Sequence, residues 1–267
     1  MNNPITHLFR RTMKGLGLWI GRWQSIEELL AERNIGRTAM FDIRLMSLLP
    51  EKSLAQFLKY LALSKSQSRQ DLFVLAQLNF AKRGFFVEFG ATNGISLSNT
   101  WLMETEFQWT GILAEPAKCW HADLRNNRTA KIETNCIWRK SHEQFEFRET
   151  DVPELSTLQD FSKNDRHSSK RMRGSSYTVN TISLNDLLEK HNAPEVIDYL
   201  SIDTEGSEFV ILNSVDFNRF KFKVITVEHN FTNAREQIFN LLISKGYRRV
   251  LEEVSGFDDW YIHDIIA

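Results

Sequence analysis

The run Phe85-Phe86-Val87-Glu88-Phe89-Gly90-Ala91-Thr92-Asn93-Gly94 constrains the fold more than any other stretch of the chain. A short apolar strand ends in an acid, turns on glycine and leads into a segment that can open a helix. Parallel α/β sheets present a first strand to a nucleoside ligand in this way, at the strand's carboxyl end. Glycine lets the backbone approach a ligand closely. Positions 90–92 read Gly-Ala-Thr where a pyrophosphate-binding loop needs Gly-x-Gly, and no Gly-Lys-Ser/Thr follows. An acid before the turn repels phosphates and suits a ligand with a positively charged end.

Periodicity extends the α/β reading. Strands are expected at Phe85–Phe89, Gly111–Ala114, Ala130–Ile137, Val196–Ile202, Lys223–Val227, Tyr247–Leu251 and Trp260–His263, with helices near 95–104, 117–126, 183–191, 207–214 and 233–245. This alternation predicts a doubly wound, mostly parallel sheet. The link Glu252–Asp259 is too short for a crossover, so the terminal strand should be antiparallel. Before the sheet, residues 1–80 read as helical. Ser25-Ile26-Glu27-Glu28 has capping-box form, Leu54, Phe57, Leu58 and Leu61 share one helical face, and Asp71–Phe80 forms a further helix. The stretch from Phe161 to Ser176 is polar and basic without periodicity, and reads as either a substrate lid or a passive loop.

At 267 residues the chain holds one large α/β domain plus an extension. Its 33 basic and 34 acidic residues balance, which argues against a nucleic-acid binder. Cys119 and Cys136 lack metal-ligand spacing, so a reducing, cytoplasmic setting is expected. No apolar run approaches the ~20 residues that span a bilayer. Residues 1–24 are basic and aromatic, with Arg10, Arg11, Lys14, Arg22, Trp19 and Trp23, a pattern suited to peripheral contact with an anionic membrane or to packing on the domain.

The strand ends gather the candidate chemistry. Glu88 closes the first strand. Glu115-Pro116 closes the second, 25 residues after Gly90, where a carboxylate can accept both ribose hydroxyl protons. Cys136 and Ile137 end the third, at the place of a nucleobase, with Trp138 either beside the base or in the core. The fourth ends Asp203-Thr204-Glu205-Gly206-Ser207-Glu208. Glu208 suits a helix N-terminus without further role, whereas Asp203 and Glu205 face the reacting end. Glu228-His229-Asn230 ends the fifth. With Asp203 it offers either a divalent-metal site (Asp203, Glu228 and His229, for Mg²⁺ or Mn²⁺) or a general base, Asp203 or His229.

Glu88 to Gly94, Glu115-Pro116 and Ser201 to Glu208 together resemble the FkbM family of S-adenosylmethionine-dependent methyltransferases. The resemblance runs from about Ser66 to the end and includes Ser98-Asn99-Thr100, Val227 to Asn230 and Phe257 to Tyr261. It implies a class I methyltransferase (Rossmann-like) fold over 66–267, with 1–65 a helical extension outside it. It also implies S-adenosylmethionine as donor and O-methylation of a sugar or polyketide-like hydroxyl. By position, Glu88, Gly90 and Asn93 would surround the methionine end, within a turn that includes Ala91 and Gly94. Glu115 would hold the ribose, and Asp203 and Glu205 would lie beside the methyl group. Asn93 departs from the Asp of many relatives. The expected acceptor is a carbohydrate or glycoconjugate, and the basic residues at 163–173 suggest an anionic one. The rival readings are a NAD(P)-dependent oxidoreductase or epimerase, disfavoured by the missing glycine fingerprint, and a binding protein that keeps the fold without turnover.

Overall fold

The computed structural model describes residues 23–151, 156–158 and 174–266. It divides into two compact units, Met1–Ser47 and Leu48–Ala267. The first carries most of one 26-residue helix, α1 (Trp23–Leu48). Ser25 therefore lies inside a helix already begun at Trp23 and does not start a short one. Residues 48–65 fall in the second unit, where the Ser64 hydroxyl donates to Asp71 Oδ1 at 2.7 Å. The basic segment 1–22 and residues 159–173 lie outside the described residues.

The second unit runs α2 (Leu54–Tyr60), α3 (Gln70–Gln77), β1 (Phe85–Phe89), α4 (Trp101–Phe107), β2 (Thr110–Ala114) and α5 (His121–Asn127). Next come β3 (Lys131–Glu133), β4 (Cys136–Trp138), β5 (Gln144–Thr150), β6 (Thr157–Leu158), β7 (Gly174–Ser183) and α6 (Leu184–Lys190). The chain continues through β8 (Val196–Ile202), α7 (Glu208–Leu212), β9 (Lys221–Glu228), α8 (Ala234–Ser244), β10 (Tyr247–Val250), α9 (Glu252–Ser255) and β11 (Asp258–His263).

The main sheet has seven strands in the order β10-β11-β9-β8-β1-β2-β3. All its pairs are parallel except those of β11, which is antiparallel to both β9 and β10. Val87, Ile112, Leu200 and Ile225 are fully buried, as apolar central strands covered on both faces require. The chain winds outward from β1 to β3 and then returns to β8 on the other side of β1. The switch point between β1 and β8 opens a crevice at their carboxyl ends.

The expected strand Ala130–Ile137 is two strands. Glu133 Oε1 accepts the backbone N–H groups of Thr134 and Asn135, which turns the chain. β4 leaves the main sheet and joins a second one, ordered β4-β7-β5-β6. Gly174–Ser176 belongs to β7, so the end of the expected irregular loop is a strand. The helix expected at 95–104 begins only at Trp101, because Ser98, Asn99 and Thr100 are drawn to Glu88 instead.

Candidate active site

The cavity at the switch point is lined from β1 by Glu88, Phe89 and Gly90 and from β8 by Ser201, Ile202 and Asp203. Glu115 and Pro116 close it beyond β2, with Cys136, Ile137 and Phe147 beside them. Glu228, Asn230 and Asp258 also line it, with Gln67 and Gln70 from the segment that precedes the sheet.

Glu88 is buried, and its carboxylate organises the loop above it. Oε1 accepts the Asn99 N–H at 2.7 Å, while Oε2 accepts the hydroxyls of Ser98 and Thr100. Burial raises its pKa, opposed chiefly by Arg128, whose Nη1 lies 3.8 Å away. Asn99 donates from Nδ2 to Ser201 Oγ at 2.9 Å, and its Oδ1 is buried without a hydrogen-bond partner. It lines the cavity and was not among the residues singled out individually from sequence. Ser98-Asn99-Thr100 was the available signal.

Gly90 adopts φ +74°, and a Cβ there would stand 2.3 Å from the Asp203 carbonyl oxygen. This glycine lets the β1 turn press against the tip of β8. Ala91, Asn93 and Gly94 build the turn but do not line the cavity. Asn93 Oδ1 accepts the N–H groups of Ile95 and Ser96, within its own loop. Gly94 makes room for Leu124 and Arg128. Thr92 does line the cavity, and its N–H donates to Glu115 Oε2 at 2.8 Å. Glu115 Oε1 accepts the Ala117 N–H at 2.8 Å. Burial pushes the Glu115 carboxyl up to about 7.

Glu208 is structural, as its place in the chain suggests. Its Oε1 collects the N–H groups of Thr204 and Gly206 and the Thr204 hydroxyl, fixing the loop. That loop holds Glu205 at φ +57°, a costly conformation for a non-glycine residue. Carboxylate oxygens of Asp203, Glu205 and Glu228 lie within 4.8 Å of one another. Asp203 and Glu228 are two close carboxyls, and like charges at such spacing are costly together. Burial, with the charges of Asp258 and Glu208, raises Asp203 to about 7. Burial and Asp203 raise Glu228 further above its ordinary value.

Asp258 completes the acidic wall. Antiparallel pairing sets it opposite Glu228, and Gln70 Nε2 donates to its Oδ2 at 2.6 Å. Burial pushes it up to about 7.

His229 corrects the expectation of a histidine base or metal ligand, because it does not line the cavity. Neighbouring residues of a strand face opposite ways, and Glu228 takes the cavity side. The His229 ring is buried with Nε2 3.7 Å from Asp259 Oδ1. Asp259 is itself held by Arg235 at 2.8 Å and Arg249 at 3.1 Å. Among the described residues the clustered oxygen donors are Asp203, Glu205 and Glu228, without the histidine.

The family model of the methyltransferase FkbM domain matches residues 88–259, from the first strand-tip acid to β11. The chain belongs to the FkbM methyltransferase family. The FkbM match covers every strand-tip residue described above and sets the oxidoreductase or epimerase alternative aside. Among solved structures, a methyltransferase FkbM from Methylobacillus flagellatus KT is similar at 12% identity and a TM-score of 0.47. That likeness covers 86% of this chain and 60% of the other. A precorrin-6y C5,15-methyltransferase from Geobacter metallireducens GS-15 is similar at 10% identity and a TM-score of 0.40, over 72% of this chain and 85% of that one. No curated protein matches the chain in sequence. No helix among the described residues is long and apolar enough to cross a membrane.

Proposed function

We propose that this methyltransferase transfers the methyl group of S-adenosylmethionine to a hydroxyl of a carbohydrate or glycoconjugate. The observation that carries the reading is the close pair of carboxyls Asp203 and Glu228, lining the cavity from adjacent strand tips, where burial raises their pKa values. A carboxyl near 7 is matched to removing a hydroxyl proton at neutral pH.

The residues present fit the cofactor. Glu115 has one backbone N–H on each carboxylate oxygen and keeps lone pairs for two ribose hydroxyls. Ile137, Cys136 and Phe147 offer apolar surface for a base. The unpartnered Asn99 Oδ1 suits the ammonium group, and the acids Asp203, Glu205 and Glu228 suit a sulfonium. When bound, the cofactor supplies an electrophilic methyl group.

Asp203 is then the group that takes the acceptor's hydroxyl proton, with the Glu228 carboxyl beside it. Amide and hydroxyl side chains on the same cavity (Gln67, Gln70, Asn230, Thr226) match the donors and acceptors of a polyol. A divalent cation on Asp203, Glu205 and Glu228 would require all three deprotonated. Burial favours the protonated forms of Asp203 and Glu228, which suits acid–base chemistry instead, so turnover should persist in EDTA and gain nothing from added Mg²⁺ or Mn²⁺.

The test is transfer of labelled methyl from S-adenosylmethionine to a panel of neutral, amino-bearing and phosphate-bearing glycans. One class should gain a methyl ether, and Asp203→Asn should slow the gain by about 10²–10⁴. A protein that binds S-adenosylhomocysteine but methylates none of them, or methylates only nitrogen or carbon, overturns the reading.

A further inference from the structure

The second sheet meets the β2 strand tip through a polar cluster that the strand-tip chemistry does not use. On the antiparallel pair β5 and β7, Phe147 stands opposite Tyr177, with ring centroids 5.7 Å apart. Phe147 lines the cavity, while the Tyr177 hydroxyl reaches the loop that follows Glu115. That hydroxyl accepts the Lys118 N–H at 3.0 Å and donates to Glu149 Oε2 at 2.7 Å. The Pro116 carbonyl lies 3.3 Å away, so the single phenolic proton goes to the nearer, charged carboxylate. Glu149 Oε2 also accepts the Cys119 N–H at 3.4 Å, and Lys118 Nζ sits 4.1 Å from the Tyr177 ring centroid.

The same loop is held from its other end. Glu115 grips Thr92 of the glycine turn and Ala117 of its own loop. Ala117 precedes Lys118, so the backbone from Glu115 to Cys119 is fixed between the β1 turn and the β5–β7 pair. We propose that Tyr177 and Glu149 form a clasp that sets the spacing between the Phe147 wall and the Glu115-Pro116 wall. They thereby act as positioning residues for the adenosine half of the cofactor. The assignment rests on the S-adenosylmethionine reading above. Burial and Glu149 hold the Tyr177 proton on far above its ordinary range, so the phenol donates at every working pH. Tyr177→Phe keeps the ring against Phe147 and removes only the hydroxyl.

Calorimetric titration with S-adenosylhomocysteine, and hydrogen exchange over residues 117–120 without ligand, test the clasp. Tyr177→Phe should raise the dissociation constant about tenfold, the scale of one charge-assisted hydrogen bond partly transmitted. Exchange at the Lys118 and Cys119 amides should quicken. The cofactor KM should rise in parallel, with kcat at saturating cofactor and the acceptor KM within about twofold of the native enzyme. Glu149→Gln should move the same quantities in the same direction, and it decides the matter if Tyr177→Phe does not fold. Native affinity in both variants overturns the clasp while leaving the cofactor reading intact. A general loss, in which acceptor KM rises and kcat falls together with the weakened cofactor affinity, overturns it too. If the native protein itself does not bind S-adenosylhomocysteine, the cofactor reading falls and the clasp's ligand with it.

Discussion

The backbone N–H of Phe231 donates to His229 Nδ1 at 3.0 Å, turning the imidazole into a brace for the loop beyond β9. With Nδ1 accepting, the neutral ring carries its proton on Nε2, towards Asp259. Asn230 and Phe231 both take positive φ, +44° and +57°, and Asn230 reaches the cavity wall from this strained turn. Replacing His229 by alanine leaves the Phe231 N–H without its acceptor and should destabilise the fold by about 1–3 kcal/mol. The acidic limb of the pH–rate profile should stay where it is, because the base is elsewhere. Chemical denaturation and the pH dependence of kcat check the two halves. A shift of that limb in His229→Ala would restore the histidine to catalysis.

Asp203→Asn should keep the turn packed against Gly90, since the Gly90 approach is to the Asp203 carbonyl and not to its side chain. Loss of a positioned base should lower kcat by about 10²–10⁴. Below about 7 the native enzyme should lose activity as Asp203 gains its proton. Glu228→Gln replaces a carboxyl whose pKa burial and Asp203 already raise well above the ordinary range, so it should leave that limb near its native position, with kcat retained in larger part. Single-turnover rates from pH 5 to 9 distinguish the two variants. Equal kcat in Asp203→Asn and the native protein would rule out Asp203 as base.

The β1 and β8 tips were legible because each packs its signal locally: an apolar run, an acid and a glycine within ten residues. Asp258 was not, since its place depends on the antiparallel register that sets it opposite Glu228. The His229 assignment went astray on one residue of strand alternation, which spacing alone does not fix when the strand's end is unknown. β5 offers Phe145 and Phe147 in alternation, but its partner β7 lies beyond a long polar stretch, so no short-range turn announces the pair. Ala130–Ile137 reads as one strand because the break comes from a side chain, Glu133, turning its own backbone.

Gly90→Ala should be more disruptive than its size suggests. The added Cβ would meet the Asp203 carbonyl oxygen at 2.3 Å, and the φ of +74° is unfavourable for alanine. The backbone of β8 is part of the sheet centre and cannot easily retreat. A loss of roughly 1–3 kcal/mol is expected from the backbone conformation alone, together with weaker S-adenosylhomocysteine binding. Gly256→Ala, also at positive φ but with nothing within 4 Å of its Cβ, is the control for backbone strain without the clash. Thermal unfolding and calorimetry of both variants check this. Equal losses in the two would show that the contact with Asp203 does not matter.

Stability should fall as pH rises through the neutral range. Glu115 and Asp258 have folded pKa values near 7, raised by burial above the ordinary carboxylate range of about 4. Between those limits the native state binds more protons than the unfolded chain, so the unfolding free energy decreases with increasing pH. The loss begins above the unfolded pKa and levels off once pH passes the folded one. A cationic cofactor beside these acids favours their charged forms, so binding near pH 7 should release protons. Denaturation midpoints from pH 5 to 8.5 measure the first effect. Calorimetry of S-adenosylmethionine binding in buffers of different ionisation enthalpy measures the second. Glu115→Gln should flatten the stability slope and reduce the proton release, and an unchanged slope in that variant would place the titration elsewhere.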